Sequence, residues 1–330
     1  MSLDNDHDGS CEPSDVSPSV SDKLPNTNNV IKGQEFSYAV GRKIAPGRYG
    51  AVYEVLRKSD GKPFAAKLEV CDLHFHGLNT DYIVLKAANK ADCKHFCRLI
   101  DRGKIERHFK FLVMQMLGKN LLQLRTEFVD GRFSAPTTLR LALEMLDALE
   151  ELHSLGYIHR DIKASNFLIN EENNETKIYI SDFGLCRPYK DSEDEVKQPR
   201  EKAQFRGTTR YASLTAHNEQ EQSPKDDLES WLYMIIEFMT GDLPWNQYSR
   251  RDRNIVKSLK EHARTTEGAQ ELLKYCPRME FRRIMKYIDG LNYHSKPDYN
   301  YIRELVHLAQ KNYELDPNQP YDWLLQLDEE

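Results

Sequence analysis

The sequence predicts an α+β fold in two lobes, a small β-rich lobe near the N-terminus and a larger helical lobe after it. Three observations carry this reading. Residues 38–44, 51–57 and 63–69 are dense in β-branched and aromatic side chains, and Asp60-Gly61 places a hairpin turn between the last two. Leu139, Leu143, Leu146 and Leu149 recur at helical spacing behind a Ser134 N-cap and Pro136, and Gly156 closes the segment. Residues 226–240 are apolar around almost the whole helical circumference, which predicts a helix buried inside the larger lobe.

Composition narrows the function before any motif is read. A chain of 330 residues with 39% hydrophobic and 10% aromatic content can bury a sizeable core. Its formal net charge of -6 argues against a general nucleic-acid binder. No apolar run approaches a membrane span, since even 231–239 is short and broken by Glu237. Six cysteines form no paired framework and no basic-then-apolar leader opens the chain, so a reducing, cytoplasmic setting is expected, with the nucleus left open. Cys93-Lys94-His95-Phe96-Cys97 is half a metal site with no second cluster to complete it.

Taken in order, residues 1–35 are rich in Ser, Asp, Asn and Pro and are expected to be a disordered, solvated head, with Ser17 before Pro18 as its one modification signal. The turn at 45–50 holds Gly47 and Gly50, where backbone N–H groups could approach phosphates unobstructed. Lys67 follows on the third strand, and a helix over 79–90 should lie beside it, offering Asp81 as its acidic partner. Glu69 is too near Lys67 along the strand for that role. Residues 109–114 read as a strand, and 115–118 as the connector between lobes.

The helix over 135–155 delivers the chain into His159-Arg160-Asp161-Ile162-Lys163-Ala164-Ser165-Asn166, and Asp182-Phe183-Gly184 comes after two short strands at 167–169 and 177–180. A carboxylate, a cation and an amide in one loop, with a second carboxylate close by, suit phosphoryl transfer. There the reacting group is highly charged, and positioning and electrostatics do most of the catalysis. A charged, Pro-containing segment at 185–204 suits a mobile surface stretch. Arg206 and Arg210 then fall in one short segment, able to fork onto carboxylates or phosphates or to pair internally. Asp227 opens the buried helix and could accept N–H groups of the catalytic loop. The basic stretch 249–264 is read as a solvated face ahead of an acidic-substrate docking surface, and helices around 277–289 and 298–311 finish the lobe.

From about residue 36 to 323 the chain resembles the casein kinase I superfamily of protein kinases, and within it the tau-tubulin kinase branch. The resemblance rests on residues 159–168, on Gly207 to Ser213 standing where most kinases have Ala-Pro-Glu, on Asp226-Asp227-Leu228, on Leu243-Pro244-Trp245 and on Lys296-Pro297-Asp298-Tyr299. It implies a bilobal protein kinase fold, with an N-lobe over 36–116, a C-lobe over 117–323 and a short tail over 324–330. It also implies ATP and Mg²⁺ as cofactors, and transfer to Ser or Thr hydroxyls of protein substrates that are acidic or already phosphorylated. Asp161 would orient or accept the hydroxyl proton, Lys163 would neutralise the moving phosphoryl group and Lys67 would reach the phosphates. Asn166 and Asp182 would hold the metal. Ile44, Gly47, Gly50, Val52, Ala65, Lys67, Met114, Gln115, Leu117 and Leu168 would form the ATP site, and Arg206 and Arg210 the substrate anion site. A monomer is expected. Two departures stand out: Ala45 for a loop glycine, and Asp81 for a helix glutamate, whose missing methylene calls for a closer helix or a bridging water. They leave a nucleotide-binding pseudokinase scaffold as the alternative reading.

Overall fold

Strand alternation organises the smaller lobe. The computed structural model describes residues 23–71, 76–172 and 175–325. Strands β1 (Val30–Lys32), β2 (Ser37–Gly47), β3 (Gly50–Arg57), β4 (Pro63–Val70), β5 (Leu99–Ile105) and β6 (Phe109–Met114) form one antiparallel sheet in the order β1-β2-β3-β4-β6-β5. Tyr38, Val40, Tyr53, Val55, Ala66 and Leu68 fall on one face and are buried together with Phe111 and Val113. The side-chain period of two leaves the other face to Val52, Lys67, Ala65 and Met114.

β1 lies inside the stretch expected to be disordered. Val30 pairs with Ala39 and Lys32 with Ser37, and Ile31 is buried in the sheet core, so the ordered domain starts upstream of Phe36. Polar composition hid a strand whose single buried side chain is Ile31. Residues 1–22, including Ser17, lie outside the described residues.

Helix α1 (Gly77–Lys90) begins before Asn79 because a carboxylate caps it from outside the helix. Glu69 Oε2 accepts the Leu78 N–H at 2.8 Å while its Oε1 pairs with Lys110 at 2.7 Å. Glu69 is thereby engaged away from Lys67.

After α2 (Leu121–Thr126), the larger lobe is built on α3 (Ala135–Ser154) and α5 (Pro224–Thr240). Ser134 caps α3 as expected, and Leu139, Leu146 and Leu149 are fully buried, with Leu143 at the margin. Every residue of α5 from Asp226 to Met239 is buried. Strands β7 (Tyr157–Ile158), β8 (Phe167–Glu172), β9 (Glu175–Ile180) and β10 (Arg187–Pro188) form two small ladders above α3, β7 with β10 and β8 with β9. Helices α4 (Leu214–His217), α6 (Arg253–His262), α7 (Thr266–Leu272), α8 (Arg278–Asp289), α9 (Tyr299–Asn312) and α10 (Asp322–Leu325) complete it.

The chain's far end is tied back to this lobe. Asp322 accepts the Ser134 N–H at 2.6 Å and the Thr137 hydroxyl at 2.8 Å, while Trp323 packs edge-on against Phe133. Among the described residues no helix is long and apolar enough to cross a membrane.

Candidate active site

The polar loop between α3 and β8 is held from below by one buried carboxylate. Asp227 accepts the N–H groups of His159 at 2.6 Å and Arg160 at 2.8 Å, and the His153 Nε2 lies 2.9 Å away. Burial alone would raise its pKa, but the His153 hydrogen bond and the neighbouring histidines outweigh it and hold Asp227 below the usual carboxylate value. Arg160 itself sits in the left-handed region, φ 67°, a conformation costing about 1–3 kcal/mol for a non-glycine residue. The Asp227 bond and a second one, from Arg160 Nε to the Leu185 carbonyl at 2.8 Å, hold it there.

So braced, the loop presents Asp161 between two donors. Lys163 Nζ donates to Oδ2 at 2.6 Å, and the Thr208 hydroxyl donates to Oδ1 at 2.7 Å. Thr208 reaches it because Gly207, at φ 110°, passes so close to the loop that a Cβ there would lie 2.6 Å from the Arg160 carbonyl. Asn166 Nδ2 donates to the Asp161 carbonyl at 2.9 Å and closes the turn.

Across the cleft, Lys67 joins the lobes. Its ammonium pairs with Asp81 Oδ2 and with Asp182 Oδ1, both at 2.7 Å. Burial disfavours the charge on Lys67, but Asp182 and Asp81 outweigh that and raise its pKa; the Lys67 charge in turn holds Asp182 well below the ordinary carboxylate range. The aspartate in place of glutamate needs no bridging water. It is 2% exposed, and its second oxygen accepts the Phe183 N–H at 2.7 Å, so α1 lies against the Asp182-Phe183-Gly184 turn. Phe183 stacks on Phe96 with ring centroids 5.3 Å apart, and Asp182 takes the left-handed conformation at φ 64°.

Register brings the expected nucleotide residues onto one wall. Val52 lies opposite Lys67, Ala45 opposite Val52, and Ala65 opposite Met114. Directly opposed residues share a face, so Val52, Ala65, Lys67 and Met114 line the same side of the sheet. All of these, with Leu117 and Leu168, are partly exposed, and Ile44 is exposed, giving an apolar slot against which an aromatic base can stack. Gln115 begins the connector, which folds onto β8 through the Gly118 N–H to Ile169 carbonyl bond at 2.8 Å. The hairpin tip is tight at Gly50, where a Cβ would lie 1.8 Å from the Leu68 carbonyl, and Gly47 pairs with it across the turn.

The donor set fits a hard divalent cation. Asp182, its side chain half exposed, and Asn166, on the loop bonded to Asp161, offer oxygen ligands of the kind Mg²⁺ prefers, with room for phosphate oxygens and water. No group of three or more His, Cys, Asp or Glu forms an all-protein metal cage among the described residues. Cys93 and Cys97 offer no ready thiolates, because burial pushes their thiols up to about 11 and about 12.

The two arginines expected to bind anions are differently placed. Arg206 is exposed and donates to Gln204 Oε1 at 3.2 Å. Arg210 leans inward, 3.1 Å from the fully buried Glu237, which also takes Arg125 and the Tyr211 hydroxyl. The preceding segment, expected to be mobile, is clasped by Glu221, which pairs with both Arg187 and Arg200.

Two residues that hold this region together escape sequence reasoning. Thr208 lies in a segment the motif flags, yet its bond to Asp161 depends on the path of Gly207. Lys260 was one of six basic residues in a presumed surface stretch. It is instead fully buried beside Tyr233 and Trp245, donating to the Thr209 and Ala212 carbonyls at 3.0 and 2.5 Å. The apolar spacing of Val256 and Leu259 around it was the available signal.

The protein kinase domain family matches residues 38–319 of the chain. A probable serine/threonine-protein kinase of Dictyostelium discoideum is 34% identical over 299 residues, covering 90% of this chain and 58% of its own length. Serine/threonine-protein kinase spe-6 of Caenorhabditis elegans is 31% identical over 304 residues, covering 91% of this chain and 79% of its own. The chain therefore spans little more than half of the first relative.

Proposed function

This chain belongs to the protein kinase family, and from that premise we propose that it is an active serine/threonine protein kinase of the casein kinase I type. The observation that carries the reading is the Lys67 bridge: one ammonium binds Asp81 and Asp182 at 2.7 Å each, across the lobes, with Asp161 oriented on the opposite wall. That arrangement supports catalysis over the pseudokinase scaffold, because Asp81, one of the two departures that motivated the scaffold reading beside Ala45, makes the contact a glutamate would make.

In the reaction, the hydroxyl oxygen of a substrate Ser or Thr attacks the γ-phosphorus of ATP, and the bond to the β,γ-bridging oxygen breaks. Asp161 orients that hydroxyl and takes its proton. Thr208 and Lys163 keep the carboxylate aimed, and Lys163 also offsets charge on the transferring group. Lys67 holds the α- and β-phosphates. Asp182 and Asn166 would hold Mg²⁺, which when bound would supply charge neutralisation at the phosphate oxygens.

Substrates carrying acidic or phosphorylated residues near the target fit the basic edge of the site. Of the basic stretch 249–264, Arg253 pairs with Glu219, Lys257 with Glu261 and Arg264 with Glu229, and Lys260 is buried; Arg250 and Arg251 remain exposed with Arg206. Transfer from labelled ATP to an acidic protein by wild type and not by Asp161→Asn supports the enzyme. ATP binding without transfer to any of several substrates returns the scaffold reading. If Arg210→Ala and Arg206→Ala both leave the ranking of acidic over neutral peptides unchanged, the substrate preference is wrong.

A further inference from the structure

A groove on the smaller lobe lies on the outer side of α1, away from the ATP wall. It has a volume of about 650 Å³ and runs between α1, the β5–β6 pair and the end of β1. Its floor is apolar, from Leu78, Tyr82, Ile83 and Phe111, and Ile83 is left 50% exposed. Its lining carries four cations, Lys32, Arg102, Lys104 and Lys110, and no carboxylate. Lys110 is matched by Glu69 and Lys104 by Glu106, whereas the Arg102 side chain bonds to the neutral Gln34 and lies 4.2 Å over the Tyr82 ring.

An apolar floor under a basic rim fits an acidic segment with occasional apolar side chains, and this chain carries one next door. Residues 1–22 contain Asp4, Asp6, Asp8, Glu12, Asp15 and Asp22 and not one Lys or Arg, with Leu3, Val16 and Val20 interspersed. They lead directly into Lys23 and on to β1, whose last residue, Lys32, lines the groove. At about 3.3 Å per residue, the chain from Lys23 to Lys32 spans at most roughly 30 Å, while the 20 residues from Leu3 to Lys23 can extend roughly 65 Å. Length therefore permits the head to turn back onto the groove.

We propose that residues 1–22 dock in this groove through their acidic side chains and brace α1 in the position that forms the Lys67–Asp81 pair. Tyr82 and Leu78 on the groove side flank Asp81 on the cleft side of the same helix turns, so a ligand packed on one side limits movement of the other. The effect on catalysis rests on the kinase reading; the docking does not.

A charge swap in the full chain tests it, using Lys32→Glu with Lys104→Glu, Asp4→Lys with Asp6→Lys and Asp8→Lys, and all five together. Both lysines are exposed, so the fold should tolerate reversal. The readout is amide hydrogen exchange over 77–86, which needs no phosphoryl transfer. Expected is exchange at least threefold faster in either partial set, near wild-type protection in the combined set, and kcat/KM following the same order. A combined set no better protected than the partial ones overturns the docking. Protection that rises with protein concentration alongside dimer formation overturns the assignment to the chain's own head in favour of a second copy. Restored protection with unchanged turnover would retain docking and overturn the bracing of the catalytic pair.

Discussion

Replacing Asp81 by the longer glutamate should impair this protein. Asp81 contacts Lys67 and the Phe183 N–H at 2.7 Å each, and its side chain is only 3% exposed. Both bonds are already at ideal length, so an added methylene must push α1 away from the Phe183 turn or force the carboxylate out of line. Overpacking of this kind costs about 1–3 kcal/mol. If about 1.4 kcal/mol of that falls on the assembled active arrangement, kcat/KM drops about tenfold. Asp81→Asn keeps the shape and an acceptor for Phe183 but removes the charge. Breaking a buried pair costs about 3–5 kcal/mol, and because Lys67 keeps Asp182 the low end applies, about a hundredfold in kcat/KM.

The assay is single-turnover transfer with a titration of ATP, alongside thermal unfolding to separate loss of fold from loss of positioning. The expected order is wild type, then Asp81→Glu, then Asp81→Asn. Asp81→Glu matching or exceeding wild type would refute the reasoning, since it would mean α1 has slack that the 2.7 Å contacts deny. Asp81→Asn within threefold of wild type would show that the ion pair does not position Lys67.

Other expectations follow from single contacts. Gly50→Ala places a Cβ 1.8 Å from the Leu68 carbonyl; a loss of about 3 kcal/mol in denaturant unfolding is expected, and unchanged stability would mean the hairpin sits further from β4. Glu237→Gln leaves Arg125 without its buried carboxylate and should cost about 3 kcal/mol, seen as a lowered Tm. His95 lies between Glu144 and Glu151; burial opposes its charge, but the two carboxylates raise its pKa to about 9. A raised histidine stabilises fully below its unfolded value near 6.5 and loses that contribution as pH rises through about 9. His95→Gln should therefore cost up to about 3 kcal/mol at pH 6 and almost nothing at pH 10, and a pH-independent difference in unfolding free energy would exclude the linkage.

What was legible in the sequence was whatever one residue type decides at one spacing. The structure gathers Asp161, Asn166, Lys67 and Asp182 around one cleft, as the motif spacing led one to expect, and α5 announces its burial by apolar side chains all round. What was not legible depends on where two distant segments meet. β1 is hidden because three residues paired to a neighbour need bury only Ile31, so composition reads as loop. Lys260 reads as surface because a lone lysine usually is; its ammonium is buried against two carbonyls that a bend after Gly207 brings to it, and burial drives its pKa down despite Glu229. Arg210 could have bound a substrate anion or an internal acid with equal chemical sense, and Glu237, 27 residues on, takes it. Asp81 belongs to the same class. The sequence says only that the acid is one methylene short. Whether the shortfall weakens the site or draws α1 onto the Phe183 turn is decided by Glu69, which caps the start of α1 from β4, the strand that carries Lys67. Lysine and helix are thus positioned by one strand, and the shorter acid suits the distance that strand sets.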